Sequence, residues 1–285
     1  MSSKTIGLVG VGLLGTALAR RLLETGFRVV GFDLDDARTD GLERAGGQAA
    51  GSLDEVANSC SRLIFSLPDS RTVAEVTNEL LESLDEGAMI LDTTTGDPEA
   101  SKSLAERLAL WGVTYLDATV AGSSQQAQQG DVVLMVGGSK VAFDHCHDVF
   151  SSLARQTFHI GPAGAGSRMK LVVNLVLGLN RAVLAEGLSL AHACGIDVNT
   201  TLDVLRSGAA YSAAMDSKGA KMVQRDFTPQ ARLSQHRKDV GLILTLAQSH
   251  QTELPLSRLH AELLDRAIQL GFGDLDNSAI LKVFD

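Results

Sequence analysis

Lys170 and Asn174 are the residues of this chain whose types and spacing most directly offer chemistry. They lie four apart in Gly164-Ala-Gly166-Ser-Arg-Met-Lys170-Leu-Val-Val-Asn174, where a proline-free apolar stretch begins that continues to Cys194 and meets Gly195 as a natural stop. On a helix, positions i and i+4 share a face, and Gly178 and Arg181 continue that stripe. An ammonium facing a cleft among apolar side chains loses solvation, which lowers its pKa and lets it exchange a proton near neutrality. An amide one turn on would orient the lysine or its substrate. The plain alternative is a lysine that reaches back to water and has no chemical role. What decides between the two is the rest of the chain.

The stretch from Ser167 to Cys194 would make a helix on the order of 40 Å long. Leu171, Val172, Val173, Leu175, Val176, Leu177 and Leu179 cover most of its surface, so it should be buried on more than one side. Upstream, the chain alternates. Thr5 to Val9 is a short apolar run, followed by Gly10-Val11-Gly12-Leu13-Leu14-Gly15 and an amphipathic segment to Glu24 that Gly26 stops. Strand, glycine turn and helix form the context a dinucleotide fingerprint requires. Gly10 permits the turn, Gly12 admits the pyrophosphate and Gly15 lets the helix pack closely on the strand, while the helix N-terminus offers N–H groups to the phosphates. Arg28 to Phe32 reads as a second strand with Asp33 at its end, placed to accept hydrogen bonds from adenosine ribose hydroxyls. Asp35 and Asp36 follow closely and no arginine comes directly after Asp33, so the cofactor should be NAD, with NADP less favoured.

Further strands are expected at 63–66, 88–92, 113–117, 131–136 and 157–160, separated by helical segments, which predicts a parallel sheet with helices on both faces and ligands at the carboxyl ends of its strands. The turns at Leu67-Pro68 and Thr94-Thr95, and the small-residue loop through Ala121, Gly122 and Ser123, are therefore candidates to line a site. After Ile160 the patterns are helical only: 199–206, 215–223, 229–249, 255–270 and a short segment from Asn277. The fold class is α/β, a Rossmann doubly wound parallel sheet followed by an all-helical domain. The expected boundaries are 1–162 for the dinucleotide-binding domain and 163–285 for a helical substrate and dimerisation domain that begins with the long helix.

Composition excludes several classes. Hydrophobic residues make up 45% and charged residues 21% of 285, an ordinary globular balance. Residues 1–160 carry 12 Lys and Arg against 22 Asp and Glu, a net of −10, whereas residues 161–285 carry 13 against 12, a net of +1. An acidic first half argues against nucleic acid, and an anionic substrate is better received by the second half, near Lys170, Arg181 or Lys238. The N-terminus lacks the layout of a secretory signal and no apolar run reaches membrane length without polar interruption, so a cytoplasmic protein with no membrane partner is expected. Cys60, Cys146 and Cys194 lie far apart with no CxxC pair and read as reduced thiols. His145-Cys146-His147 would point apart on a helix, so no metal site is expected.

These motifs, in this order, resemble the β-hydroxyacid dehydrogenase family, which includes 3-hydroxyisobutyrate dehydrogenase and tartronate semialdehyde reductase. Gly10 to Gly15 resembles the family's cofactor fingerprint, and Asp117-Ala-Thr-Val-Ala-Gly-Ser123 stands in the place of its substrate-binding Asp-Ala-Pro-Val-Ser-Gly-Gly. Gly164 to Asn174 resembles its catalytic segment, and Lys238-Asp239 its late Lys-Asp pair. The resemblance implies Lys170 as catalytic lysine, Asn174 as its substrate-contacting partner, Lys238 as a residue closing on the cofactor, and Leu67, Pro68 and Thr95 along the nicotinamide side. It further implies a homodimer or homotetramer and a small carboxylate substrate. Thr119, Ala121 and Ser123 depart from the substrate motif, with the hydroxyl of Ser123 or Ser124 available to replace the lost serine. Tyr211, Ser212 and Lys221 are further candidates to approach the substrate.

The expected activity is hydride transfer between nicotinamide and a small 3-hydroxy acid or the matching semialdehyde. Two alternatives stand beside it. One is another small-aldehyde or imine reductase on this fold, although the imine reductases lack the lysine; 6-phosphogluconate dehydrogenase has it but is much longer. The other is a non-catalytic dinucleotide-binding module, which would need Gly10, Gly12, Gly15 and Asp33 but not Lys170 or Lys238.

Overall fold

The computed structural model describes residues 4–284. The chain divides into two compact units, 1–170 and 171–285. In the first, the strands are β1 (Thr5–Val9), β2 (Arg28–Phe32), β3 (Gln48–Ala49), β4 (Arg62–Phe65), β5 (Met89–Asp92), β6 (Thr114–Ala121), β7 (Val133–Gly137) and β8 (Gln156–Gly161). The helices are α1 (Leu13–Glu24), α2 (Asp36–Arg44), α3 (Leu53–Ser59), α4 (Ser70–Leu80), α5 (Pro98–Ala109), α6 (Ser124–Gln129), α7 (Lys140–His145) and α8 (His147–Leu153), and α9 (Ala165–Ala193) follows.

The strands form one sheet in the order β3-β2-β1-β4-β5-β6-β7-β8. β1 lies between β2 and β4, and every pair from β3 to β6 is parallel. This is the doubly wound arrangement, and its strand order reverses between β1 and β4, where the carboxyl ends open a crevice. The central strands are apolar on both faces because helices cover both. Along β1, Ile6 and Leu8 join one core with Leu18, Leu22 and Phe150, while Val9 joins the other with Val56, Val73 and Leu108. The all-parallel expectation ends at β6, since β7 pairs with it antiparallel and β8 then runs parallel to β7. The connection from β6 to β7 holds only the short α6, too little for a crossover that brings a strand back parallel.

In the second unit α9 is followed by α10 (Val198–Ser207), a π-helical turn (Met215–Gly219), α11 (Ala220–Gln224), α12 (Leu233–Ser249), α13 (Pro255–Gln269) and a terminal 3-10 helix (Asn277–Val283). Leu184, Leu188, Leu202, Met222, Val240, Leu264 and Ile280 meet in its core. The helix expected from Pro229 starts only at Leu233, because the fully buried Asp276 captures the segment before it. Asp276 accepts from the backbone N–H of Gln230 and Ala231, holds Lys218 Nζ at 2.8 Å, and caps the terminal helix through Ser278 N. The length and composition of α9 alone would also suit a membrane span, and 44% of its apolar window is buried inside the protein.

Along α9 the small residues are not equivalent. A Cβ on Gly178 would stand 2.5 Å from His236 Nε2 and 2.8 Å from His260 Cε1, whereas one on Gly187 would meet nothing within 4 Å. Gly178→Ala should therefore cost about 1–3 kcal/mol through overpacking, and Gly187→Ala should gain about 0.5–1 kcal/mol from helix propensity. Denaturant unfolding of the two variants checks this contrast, and equal effects of the same sign would show the glycine contact to be wrong.

Candidate active site

The glycine turn lies at the carboxyl end of β1. Gly10 has φ +93°, and a Cβ there would strike Ser66 O; a Cβ on Gly15 would strike Gly10 O. Both glycines are thus required by backbone contact. Gly12 differs, since a Cβ there would meet only Arg38 Nη1 at 3.8 Å, and its outer side is open. A cavity of about 500 Å³ opens there, lined by Val11, Gly12, Leu13, Thr16, Arg38 and Gln125, among others. Leu13 is exposed and Leu14 half-buried at the start of α1, whose first turn has no side-chain cap on its N–H groups. An open glycine before an uncapped helix N-terminus fits a pyrophosphate.

Asp33 stands at the end of β2 as expected. Its Oδ2 accepts from Val11 N at 2.7 Å and its Oδ1 from Asp35 N at 3.0 Å. The sequence reading missed Arg38. The first turn of α2 brings this residue back so that its Nη1 lies 3.3 Å from Asp33 Oδ2 and its Nε 3.3 Å from Asp35 Oδ2. Asp35, which caps α2 through Ala37 N, is the signal that locates that turn.

At the ends of β4 and β5, Leu67 N donates to Thr94 Oγ1 at 3.1 Å, and Thr93 Oγ1 donates to Phe65 O at 2.7 Å. Pro68 is exposed and Thr95 half-buried beside this pair of turns. Behind them Tyr115 OH donates to Asp92 Oδ2 at 2.6 Å, and burial pushes the Asp92 carboxyl up to about 6. On β6, Lys170 Nζ donates to Val120 O at 2.6 Å, one residue before Ala121, Gly122 and Ser123. The Ser123 hydroxyl is engaged in a capping box: it donates to Gln126 Oε1 at 3.1 Å and accepts from Gln126 N at 3.2 Å.

In the second unit, Asn174 Nδ2 donates to Asp239 Oδ2 at 2.9 Å, and Lys238 Nζ lies 3.7 Å from Asp239 Oδ1. The pair four apart on α9 is therefore held at each member by a different partner, Val120 for the amine and Asp239 for the amide. Arg181, offered above as an anion receptor, is buried; burial lowers its pKa to about 10 while the charges of Asp276 and Asp239 oppose the shift. Tyr211 OH donates to Asp216 at 2.6 Å and Lys221 pairs with Asp226 at 3.3 Å, so both are tied within their own segment.

A doubly wound sheet with an open glycine turn at the end of β1 is the architecture of a nicotinamide-dinucleotide oxidoreductase, and here it places Lys170 against the end of β6. Residues 5–161 match the family described as the NAD binding domain of 6-phosphogluconate dehydrogenase, and residues 164–284 match the NAD-binding domain of NADP-dependent 3-hydroxyisobutyrate dehydrogenase. The chain is 31% identical to 2-(hydroxymethyl)glutarate dehydrogenase of Eubacterium barkeri, over 98% of this chain and 94% of that protein. It is 30% identical to glyoxylate/succinic semialdehyde reductase 1 of Arabidopsis thaliana, over 97% of each. Among solved structures, 3-hydroxyisobutyrate dehydrogenase from Salmonella typhimurium aligns with TM-score 0.91 at 28% identity, over 98% of this chain and 99% of that one. The chain belongs to the β-hydroxyacid dehydrogenase family and is an NAD(P)-dependent oxidoreductase.

The polar cluster around Asn174 has a consequence for stability. His260 lies against His236 with ring centroids 5.2 Å apart and the rings tilted by 48°, and burial, aided by the Arg181 charge, lowers its pKa from 6.5 to about 4. Its imidazole is neutral in the folded chain at pH values where the unfolded chain takes up a proton, so stability is lost as pH falls from about 6.5 towards 4. Asp92 in the first unit acts oppositely, because its raised pKa lets the folded form bind a proton first. His260→Leu should remove a loss on the order of 3 kcal/mol across that window relative to the unsubstituted chain. Urea unfolding at pH 7 and pH 4.5 measures it; an unchanged pH difference would contradict the neutral imidazole.

Proposed function

We propose that the protein oxidises a small 3-hydroxy acid of the 3-hydroxyisobutyrate kind, or reduces the matching semialdehyde, with NAD as preferred cofactor and Lys170 as proton carrier. The observation that carries this reading is the Lys170 amine held on Val120 O, at the entrance to the Ala121-Gly122-Ser123 loop. The names of the two relatives given above support the substrate class, since one denotes a dehydrogenase of a small hydroxy acid and the other a reductase of glyoxylate and succinic semialdehyde. Nicotinamide, when bound, supplies or accepts the hydride. In oxidation Lys170 Nζ takes the substrate hydroxyl proton, and in reduction it returns a proton to the carbonyl oxygen as negative charge develops there. Val120 O orients the amine. Asp239 Oδ2 takes an N–H of the Asn174 amide and so fixes the orientation of that side chain.

Asp33 supports NAD, because a carboxylate at the end of β2 receives ribose hydroxyls and repels a 2′-phosphate. One observation favours a second reading in which NADP is also used: Arg38 places a positive charge on that carboxylate. The apolar side chains exposed along α9, Val172, Val176, Val183 and Leu190, support assembly as a homodimer or homotetramer. Three free cysteines support a reducing, cytoplasmic setting.

Two experiments test the reading. With NAD and a panel of short 3-hydroxy acids followed by NADH absorbance, Lys170→Ala should lose on the order of 10² to 10⁴ in kcat while still binding NADH; turnover at the unsubstituted rate would exclude Lys170 as proton carrier. Asp33→Ser should raise kcat/KM with NADP relative to NAD, and Arg38→Ala should lower NADP use and spare NAD. An unsubstituted enzyme that prefers NADP would refute the assignment to Asp33.

A further inference from the structure

Asp117 opens the segment that resembles a substrate-binding motif, yet its carboxylate is 1% exposed and points at a helix. Oδ1 accepts from Gly164 N at 2.8 Å and Oδ2 from Ser167 N at 2.7 Å, so both oxygens are spent on the first turn of α9. Two residues on along β6, Thr119 Oγ1 donates to Gly166 O at 3.0 Å, and the next residue, Val120, receives Lys170 Nζ. The contact is close as well as polar. A Cβ on Gly166 would fall against Asp117 O and Met135 O, and one on Gly164 would stand 2.5 Å from Pro98 O. From α5, Ser101 Oγ shares a buried hydrogen bond with Ser167 Oγ at 3.3 Å, and Glu99 holds Arg168 at 3.1 Å. The turn that carries Lys170 is therefore pinned from β6 and from the start of α5, and Asp117 supplies the only carboxylate bonded to its backbone N–H groups among the described residues.

We propose that Asp117 is a positioning residue: by holding the N–H groups of Gly164 and Ser167 it sets the height and rotation of the first turn of α9 so that the Lys170 amine reaches Val120 O and the substrate loop. An anion at a helix N-terminus is favoured by the unpaired N–H groups and the helix dipole, which offsets the cost of burying it. A rigid element fixed at its first turn carries its side chains to a defined point, and a displacement on the order of 1 Å at a reacting group can cost 10²-fold in rate. The assignment rests on the reading of Lys170 as proton carrier.

The test uses Asp117→Asn, which keeps the shape of the side chain but offers an N–H₂ group to one of the two backbone N–H donors. Three readouts are taken on the full chain: hydrogen exchange of segment 164–170, the labelling rate of Lys170 by trinitrobenzenesulfonate read by peptide mass spectrometry, and kcat with the most active acid of the panel. Exchange and labelling should both rise, and kcat should fall on the order of tenfold or more with the NADH dissociation constant unchanged. Thr119→Val, which loses the second tie and keeps the fold, should move all three in the same direction by less. Leu80→Ala, a core truncation on α4, should lower Tm and leave labelling and kcat as they were. Unchanged exchange and labelling in Asp117→Asn overturn the proposal, as does a loss of kcat that Leu80→Ala reproduces at equal Tm. If Lys170→Ala remains fully active while Asp117→Asn still alters labelling, the proton-carrier reading fails and the clamp on the helix stands.

Discussion

The backbone approach of α9 to β6 is the constraint on which the first unit's chemistry depends. A helix can come this near a strand only where side chains are absent; Gly166 provides that on the helix and Gly137 on the neighbouring strand, while Gly164 admits the start of α5. Close approach exposes a second problem, because the first N–H groups of a helix have no partner within it and burial makes each unmet donor costly. Asp117 answers two of them with one carboxylate. Burial raises its pKa, and the bonds from Ser167 and Gly164 oppose that rise without cancelling it. Lys170 follows one turn later with its amine already turned onto the same strand.

The second unit solves the matching problem for Asn174 in a different way. There the stripe of α9 that carries Asn174, Gly178 and Arg181 is covered by α12 and α13, which contribute Asp239, His236 and His260. Polar groups in so apolar a setting are costly unless they interact, and here the Asn174–Asp239 bond and the attraction of the Arg181 charge to Asp276 and Asp239 offset part of that cost. Gly178 leaves room for two imidazoles to lie against the helix backbone. One consequence is that Arg181, which the charge balance of its half of the chain offers as an anion receptor, acts as a counter-charge to two aspartates of its own unit.

Much of this was legible in the residue order, and the reasons are local. The strand–glycine–helix sequence from Thr5 to Glu24 is bound by turn geometry, so Gly10, Gly12, Gly15 and Asp33 could be placed without a structure. The run from Ser167 to Cys194 is long, apolar and free of proline, so its helix could scarcely be anything else. What escaped was non-local or short. The antiparallel turn of β7 depends on the length of one connection, and the late start of α12 depends on Asp276, which lies more than forty residues away in sequence. Arg38 escaped because nearness in sequence was taken for nearness in space: it is not adjacent to Asp33 in the chain, but a helical turn capped by Asp35 brings it there.

The departures from the family's substrate motif separate into two kinds once their contacts are known. Thr119, standing where the motif carries proline, gains a hydroxyl that donates towards both Gly166 O and Met135 O, so this change falls on the support of α9 and reinforces it. Ala121 and Ser123 fall on the loop itself. Ala121 removes a hydroxyl, and Ser123 does not simply restore it, because its own hydroxyl and backbone N–H are both turned to Gln126 at the start of α6. The loop consequently presents a different set of donors from that of the motif, while the Lys170 amine is bonded to Val120 O, outside the altered positions. The contacts that place the lysine and those that shape the loop are thus separable in this chain, because Lys170 is bonded to Val120 O whereas Ser123 is bonded to Gln126.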